Sequence, residues 1–201
     1  MLVSDDRLVP AEALVEVCRA AVRGGVTSVQ LRLKRVGPRQ LVSLARELVA
    51  ALPVPVLVND RLDVALAAGA AGVHLGPDDL PVVLARRVAP PGFLIGASVG
   101  GSAELASGSG ADYWGVGPWR TTTTKEDAGA PLGPEGFRRI VVQAGGIPCI
   151  AIGGVRPEDV APVLGAGGVG VAVVSGILGR RDVEAAAGEY LRQQSTVNSQ
   201  R

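Results

Sequence analysis

One short stretch of the sequence decides the fold: LDVALAAGAAGVHL, residues 62–75. Its first half has apolar residues at helical spacing, and its last four residues, Gly72–Leu75, are typical of a buried β-strand. The alanine–glycine segment between them predicts a helix that ends at Gly69 and turns at once into the next strand. Because a helix of this kind forms the crossover between parallel strands, the stretch favours an α/β fold.

The same unit recurs along the chain. Short apolar runs, most of them rich in β-branched residues, predict eight strands, over residues 2–4, 28–32, 56–59, 72–75, 94–98, 113–116, 149–152 and 170–174. Amphipathic stretches predict eight helices, over residues 12–23, 39–52, 62–68, 82–88, 103–108, 134–144, 157–164 and 183–192. The 201 residues allow about 25 per unit, enough for a strand, a helix and two short loops. We therefore predict a single (β/α)8 TIM barrel over residues 1–192 and a flexible polar tail over 193–201.

Composition limits both the core and the partners. Aromatic residues make up only 3% of the chain, so the core must consist of Val, Leu, Ile and Ala. The formal net charge of +1 argues against nonspecific binding to nucleic acid or to a charged membrane surface. No stretch reaches the roughly 18 apolar residues of a membrane helix. Two cysteines, Cys18 and Cys149, are too few for a disulfide framework, so we expect buried thiols and a cytoplasmic protein.

Polar residues at the carboxyl ends of the strands are candidates for function, since barrel enzymes place their sites there. The second predicted strand leads into Gln30-Leu31-Arg32-Leu33-Lys34. Alternation directs Gln30, Arg32 and Lys34 to the interior and mouth, and the two leucines toward the helices. Two cations at the mouth favour an anionic ligand. The alternative is an internal salt-bridge network at the top of the barrel.

Carboxylates follow the third and fourth strands. Asn59-Asp60 ends one, and Gly76-Pro77-Asp78-Asp79 follows the other. Hard oxygen ligands suit Mg2+, which usually takes one or two carboxylates and fills its other positions with water and phosphate oxygens. We expect only one of Asp78 and Asp79 to be a ligand. The alternatives are a helix cap near Leu80 and ordinary Asn-Asp turn chemistry.

Three later segments could hold a phosphate. The connection over residues 117–133 contains Thr121-Thr122-Thr123-Thr124-Lys125, whose hydroxyls and ammonium can donate hydrogen bonds, although a solvated loop is the alternative. Gly153-Gly154 ends the seventh strand, and Val174-Ser175-Gly176 ends the eighth. The loops after these two strands are the recurrent phosphate site of barrel enzymes.

Nucleophilic triad chemistry is not indicated. The sole histidine, His74, falls inside the fourth predicted strand, where a buried, hydrogen-bonded structural residue is the favoured interpretation. No Ser–His–Asp or Cys–His arrangement is evident. Any rate acceleration would therefore have to come from electrostatic stabilisation and from the positioning of the substrates.

The whole set of motifs resembles the thiamine phosphate synthase family. The resemblance covers nearly the whole chain, and its motifs are jointly specific. They are Leu2-Val3-Ser4-Asp5, Gln30-x-Arg32-x-Lys34, Asn59-Asp60, Gly72-Val73-His74-Leu75-Gly76-x-x-Asp79, Ile95-Gly96-x-Ser98, Gly110-Ala111-Asp112-Tyr113, Gly117-Pro118, Thr122-x-Thr124-Lys125, Ala151-Ile152-Gly153-Gly154 and Val173-Val174-Ser175.

The resemblance implies a (β/α)8 barrel that joins 4-amino-5-hydroxymethyl-2-methylpyrimidine diphosphate to hydroxyethylthiazole phosphate with Mg2+. Asp60 and Asp79 would hold the metal. Pyrimidine diphosphate would bind to Gln30, Leu31, Arg32, Leu33, Lys34, Asn59, Ser98 and Lys125. Thiazole phosphate would bind to Thr122, Thr123, Thr124, Gly154, Val174 and Ser175. Catalytic roles would fall to Arg32, Lys34, Ser98 and Lys125, in a dissociative route through a pyrimidine methyl cation.

Three positions depart from the family pattern. Leu33 stands where glutamate is frequent, Thr121 where proline is usual, and Gly100 where histidine is common. The related thiazole tautomerase uses a histidine at the place of Gly100, so its loss argues against that activity. The first alternative to a synthase is a catalytically silent paralogue that binds thiamine phosphate or a related phosphate. The second alternative is the thiazole tautomerase.

Overall fold

The computed structural model describes residues 1–122 and 129–198. Eight parallel strands form one sheet in the order β1 to β8. Their bounds are β1 Leu2–Val3, β2 Val29–Leu31, β3 Val56–Asn59, β4 Gly72–Leu75, β5 Leu94–Val99, β6 Tyr113–Val116, β7 Cys149–Ile152 and β8 Gly170–Ala172. The Val3 N–H donates to the Val173 carbonyl at 2.9 Å, and the Val173 N–H donates to the Met1 carbonyl at 3.1 Å. These bonds join the last strand to the first, so the predicted (β/α)8 barrel is confirmed.

Helices follow most of the strands. They are α1 Leu14–Arg23, α2 Pro38–Ala51, α3 Leu62–Ala68, α4 Val82–Val88, α5 Gly133–Gln143, α6 Val160–Gly165, α7 Ser175–Leu178 and α8 Val183–Asn198. Short 3-10 turns occupy Ala11–Ala13, Ser102–Glu104 and Pro157–Asp159. No helix in residues 1–122 and 129–198 is long and apolar enough to cross a membrane.

The predicted helix over residues 103–108 is wrong. The chain there forms the 3-10 turn Ser102–Glu104 and then a run of turns. Glycine and serine dominate residues 100–110, and both have lower helix propensity than alanine or leucine, so Ala103, Leu105 and Ala106 do not sustain a helix.

Two features at the end of the chain also differ from the prediction. The sequence pattern did not indicate α7, a single turn after β8. Helix α8 continues through Asn198 instead of ending at Arg192, because residues 193–198 contain no glycine or proline to stop it. Residues 199–201 of the predicted tail lie outside the described residues.

The core is mainly aliphatic, but it is not made of Val, Leu, Ile and Ala alone, because Phe93, Trp114, Trp119 and Phe137 are buried in it as well. Outward-facing strand residues such as Leu31, Val58 and Ile95 are fully buried beneath the helices. Both thiols are free and buried, as expected, and burial raises the pKa of Cys18 to about 12 and that of Cys149 to about 11. At neutral pH neither is a reactive thiolate.

Candidate active site at the barrel mouth

A cavity of about 440 Å³ opens at the carboxyl ends of the strands. It brings together side chains and backbone that are far apart in the sequence. From the predicted set it is lined by Gln30, Arg32, Lys34, Asn59, Asp60, Asp79, Ser98, Thr122, Gly154, Val174 and Ser175. Thr123, Thr124 and Lys125 lie outside the described residues.

Two residues of the predicted ligand segment do not reach this cavity. Leu31 and Leu33 are buried in the hydrophobic core, on the side of β2 that faces the helices. Their inclusion among the ligand-binding residues is therefore corrected, because side chains alternate along the segment and only Gln30, Arg32 and Lys34 face inward.

Arg32 is held in place by the end of β1. The Ser4 hydroxyl accepts a hydrogen bond from the Arg32 backbone N–H at 2.7 Å and donates one to the Arg32 carbonyl oxygen at 3.1 Å. The Asp5 carboxylate, 1% exposed, lies 3.8 Å from the Arg32 guanidinium and accepts two bonds from the Arg7 guanidinium. Burial alone would raise the pKa of Asp5, but the hydrogen bonds and charge of Arg7 and the charge of Arg32 outweigh it and lower the pKa. Sequence reasoning assigned no role to Asp5, although acidic residues directly after a first strand were a usable signal.

The carboxylates of Asp60 and Asp79 meet across the ends of β3 and β4. Lys34 donates to Oδ2 of Asp60, and the Gly76 N–H donates to Oδ2 of Asp79 at 2.6 Å. The pKa of Asp79 lies above its ordinary range, because of burial first and then of the neighbouring Asp60 carboxylate. The salt-bridge network considered from the sequence is thus present at this mouth, and its members also line the cavity.

Asp60 has a backbone conformation that side-chain-bearing residues seldom adopt. Its φ is 64°, in the left-handed region, and its N–H donates to the His74 carbonyl at 2.8 Å. Such conformations cluster at functional sites, where the surrounding structure holds them. This backbone directs the Asp60 carboxylate toward Lys34 and Asp79.

The paired carboxylates fit a magnesium ion. No cluster of three or more His, Cys, Asp or Glu side chains that could enclose a metal occurs within the described ranges. Mg2+ needs only one or two carboxylates when substrate phosphate and water complete its shell. Burial is the first cause of the raised pKa of Asp79 and the neighbouring Asp60 carboxylate adds to it, so a cation between the two would relieve their repulsion. The helix-cap alternative is not observed, since Pro81 precedes α4.

Glycine lines the opposite side of the cavity. Gly154 has a φ of 67°, and a Cβ built there would lie 2.9 Å from both the Arg120 Cβ and the Thr121 carbonyl oxygen. The loop after β6 is fastened to this turn: the Arg120 N–H donates to the Gly153 carbonyl at 2.9 Å, and its guanidinium donates two bonds to the buried Asp159. The backbone of this turn is therefore close to the cavity and well anchored.

Glu104 is a cavity residue that the sequence did not indicate. Its Oε2 accepts the Gly100 N–H at 2.7 Å, and both carboxylate oxygens lie 3.4 Å from the point where a side chain at position 100 would begin. Where the family commonly has histidine, this chain therefore presents an acidic group from the neighbouring turn.

His74 is buried and hydrogen-bonded, as predicted. It is 7% exposed, with Nδ1 3.0 Å from the Tyr113 hydroxyl and Nε2 3.0 Å from Ser98 Oγ. The ring nevertheless borders the cavity, so it contributes to the site through Ser98.

Cations, paired carboxylates and a glycine-lined edge at the mouth of a (β/α)8 barrel are the arrangement with which barrel enzymes bind phosphorylated ligands. Residues 1–177 match the family model described as thiamine monophosphate synthase, and the chain belongs to that family.

Named relatives and a solved structure agree with this membership. The thiamine-phosphate synthase of Methanoculleus marisnigri is 46% identical over 92% of this chain and 90% of its own length. That of Xanthobacter autotrophicus is 48% identical over the same shares. The solved thiamine phosphate pyrophosphorylase of Pyrococcus furiosus is 36% identical, with a TM-score of 0.87 over 98% of this chain and 95% of that chain.

Proposed function

We propose that this protein is a thiamine-phosphate synthase, a transferase that joins 4-amino-5-hydroxymethyl-2-methylpyrimidine diphosphate to hydroxyethylthiazole phosphate and releases pyrophosphate. One observation carries the proposal. In a chain of this family, Arg32 and Lys34 share one cavity with Asp60, Asp79 and the Gly154 turn. One substrate carries a diphosphate and the other a single phosphate, so the site needs a cationic edge for the first and a phosphate-binding edge for the second.

The diphosphate would lie against the cationic edge. Arg32 is held by Ser4 and Asp5, so its guanidinium is positioned before the ligand arrives. Lys34 is paired with Asp60 and can turn to a phosphate oxygen when a divalent cation takes its place. When Mg2+ is bound, it neutralises charge that develops on the departing diphosphate. Asp60 and Asp79 would hold it.

Bond breaking in the dissociative route leaves a pyrimidine methyl cation, which the thiazole nitrogen attacks. The residues of this chain would act mainly by orientation and electrostatics. Gln30, Asn59 and Ser98 supply polar groups at the floor of the cavity for the pyrimidine diphosphate. Lys125 is proposed, from the resemblance alone, to add a second cation to the leaving group.

The thiazole phosphate would occupy the other edge. The Gly154 turn, Val174 and Ser175 bring backbone and a hydroxyl to the cavity, and Thr122 faces them from the loop after β6. The remaining threonines of that loop, Thr123 and Thr124, are included in the proposal on the resemblance alone. This separation would leave the two phosphorylated ends on opposite sides of the reacting atoms.

We further propose a cytoplasmic location and small-molecule substrates, with no nucleic-acid or membrane partner. Two free, buried thiols with raised pKa values, Cys18 and Cys149, support a reducing compartment. The balanced charge supports the absence of a nucleic-acid partner.

The test is a direct assay of the purified protein with both substrates and Mg2+. Stoichiometric pyrophosphate and thiamine phosphate are expected, with neither formed when one substrate is left out. No release at high enzyme concentration, together with saturable thiamine phosphate binding, would identify the silent paralogue instead. Conversion of a thiazole carboxylate phosphate between tautomers without pyrophosphate release would identify the tautomerase.

A further inference from the structure

A chain of hydrogen bonds crosses the interior of the barrel beneath the cavity. The Tyr113 hydroxyl on β6 lies 3.0 Å from His74 Nδ1 on β4. The other ring nitrogen of His74 lies 3.0 Å from Ser98 Oγ on β5. Both His74 and Ser98 line the cavity.

Two glycines make room for this chain. A Cβ at Gly96 would lie 2.4 Å from the Tyr113 hydroxyl oxygen, and one at Gly115 would lie 3.0 Å from His74 Cε1. The imidazole and phenol rings are 5.5 Å apart between centroids. The barrel interior is therefore shaped around these two rings, so their polar atoms have little freedom to find other geometries.

The direction of the bonds follows from Tyr113. Burial raises the pKa of Tyr113 far above its ordinary value, so the phenol keeps its proton. Within the described residues, the hydrogen-bond partner that the structure shows for the Tyr113 hydroxyl is His74 Nδ1. A buried hydroxyl hydrogen needs an acceptor, so the Tyr113 hydrogen is directed to His74 Nδ1.

For a neutral His74, this bond selects one tautomer. If Nδ1 accepts a hydrogen bond, a neutral imidazole carries its hydrogen on Nε2. Nε2 can then only donate, and the atom opposite it is Ser98 Oγ. A serine hydroxyl that accepts this bond keeps its own hydrogen for another partner.

We propose that Tyr113 and His74 are positioning residues that hold Ser98 as a hydrogen-bond donor toward the ligand in the cavity. The ligand atom opposite Ser98 is then an acceptor, which on the proposed function is an oxygen of the pyrimidine diphosphate. The reverse tautomer would make Ser98 donate to the histidine, as a nucleophilic serine does. The chain of bonds from Tyr113 through His74 to Ser98 is hereafter called the Tyr113–His74 relay.

The first experiment does not depend on the proposed function. Because His74 is the only histidine in the sequence, nitrogen-15 NMR of the labelled protein gives one pair of ring signals. At pH 7.5 we expect a protonated Nε2 and an unprotonated Nδ1. A proton on Nδ1, in either the other neutral tautomer or the imidazolium, would overturn the relay whether or not the protein is a synthase.

The second experiment tests the link to Ser98. Tyr113→Phe keeps the ring over Gly96 and removes the donor, so we expect kcat to fall about tenfold, the value of one hydrogen bond, with a smaller change in KM. In a Ser98→Ala background the same substitution is expected to change kcat less than about twofold, since coupled residues are not additive. Equal slowing in both backgrounds would overturn the relay.

A matched measurement separates positioning from loss of structure. The nitrogen-15 spectrum of Tyr113→Phe is expected to lose the single Nε2–H tautomer, whereas that of Ser98→Ala is expected to keep it. If Tyr113→Phe does not fold, the native spectrum and the Ser98→Ala spectrum still decide the case. If the native protein shows no turnover, inorganic pyrophosphate binding replaces kcat as the readout, and an affinity equal in Ser98→Ala and native protein would overturn the proposal.

Discussion

The ammonium of Lys34 donates to Oδ2 of Asp60, across the ends of the adjacent strands β2 and β3. The same Asp60 carboxylate neighbours Asp79 after β4 and raises the pKa of that residue. One carboxylate is therefore shared by a cation that would face the diphosphate and by the second proposed metal ligand. The first three predictions below follow from this arrangement.

Asp60→Asn is expected to lower kcat by about 100-fold or more, the loss typical of one preorganised electrostatic contact. The charge that would hold Mg2+ is removed, while the glycine-lined edge is untouched. Pyrophosphate release measures the effect, and calorimetry with thiazole phosphate is the control, expected to show native affinity. Unchanged turnover would refute the metal assignment.

Asp79→Asn is expected to raise the melting temperature of the metal-free protein at pH 7.5. The pKa of Asp79 is raised in the folded state, so its ionised form costs stability at any pH above that pKa. An amide removes the cost and can still accept the Gly76 N–H. Mg2+ with pyrophosphate should stabilise the native protein but not this variant. The exposed neighbour gives the matched control: Asp78→Asn should leave both melting temperatures unchanged.

Mg2+ binding should weaken as the pH falls. The cation needs ionised carboxylates, and the raised pKa of Asp79 places its protonation above the ordinary aspartate value of about 4. Calorimetry in two buffers of different ionisation enthalpy should show proton release on binding, largest near the pKa of Asp79. Binding independent of pH between about 4 and 7 would contradict this prediction.

Gly154→Ala is expected to weaken thiazole phosphate binding about tenfold or more, because the new methyl would displace Arg120 and Thr121 at the cavity edge. Gly69→Ala is the matched control. Gly69 has a φ of 68° against 67° for Gly154, yet a Cβ there meets nothing within 4 Å. Both variants should lose similar stability from backbone strain. If both variants lost the same affinity for thiazole phosphate, backbone strain alone would explain the effect and the contact with the cavity edge would not.

Asp159→Asn is expected to lower stability by about 2 kcal/mol at pH 7, the cost of weakening charged hydrogen bonds to a buried carboxylate. Burial would raise the pKa of Asp159, but bonds from Arg120, Trp119 and the Arg156 backbone outweigh it and lower the pKa. A depressed pKa adds stability above the unfolded value of about 4, lost as the pH falls through the folded value. Melting curves of the two proteins should therefore converge in acid. The exposed Glu158→Gln should change little at any pH.

Some residues of the site could be predicted from the sequence and others could not, depending on whether a local rule sets their position. Gln30, Arg32 and Lys34 were predicted to face inward because strand alternation is a local rule. Asp5 and Glu104 received no role because their importance comes from contacts with Arg32 and Gly100, and such contacts depend on how loops fold over the mouth. The helix predicted over residues 103–108 failed for a similar reason: weak local propensity left the outcome to the surrounding structure.

The sequence by itself determined the barrel, because eight short apolar runs separated by helical segments and glycine turns allow few other ways to cover both faces of a parallel sheet. It also determined which residues stand at the strand ends. Only the tertiary structure decided how those residues pair: Lys34 with Asp60, Asp60 with Asp79, and Ser98 with His74. These pairings depend on distances between neighbouring strands and on the volume left by Gly96 and Gly115, and neither is encoded in the order of residues along one strand.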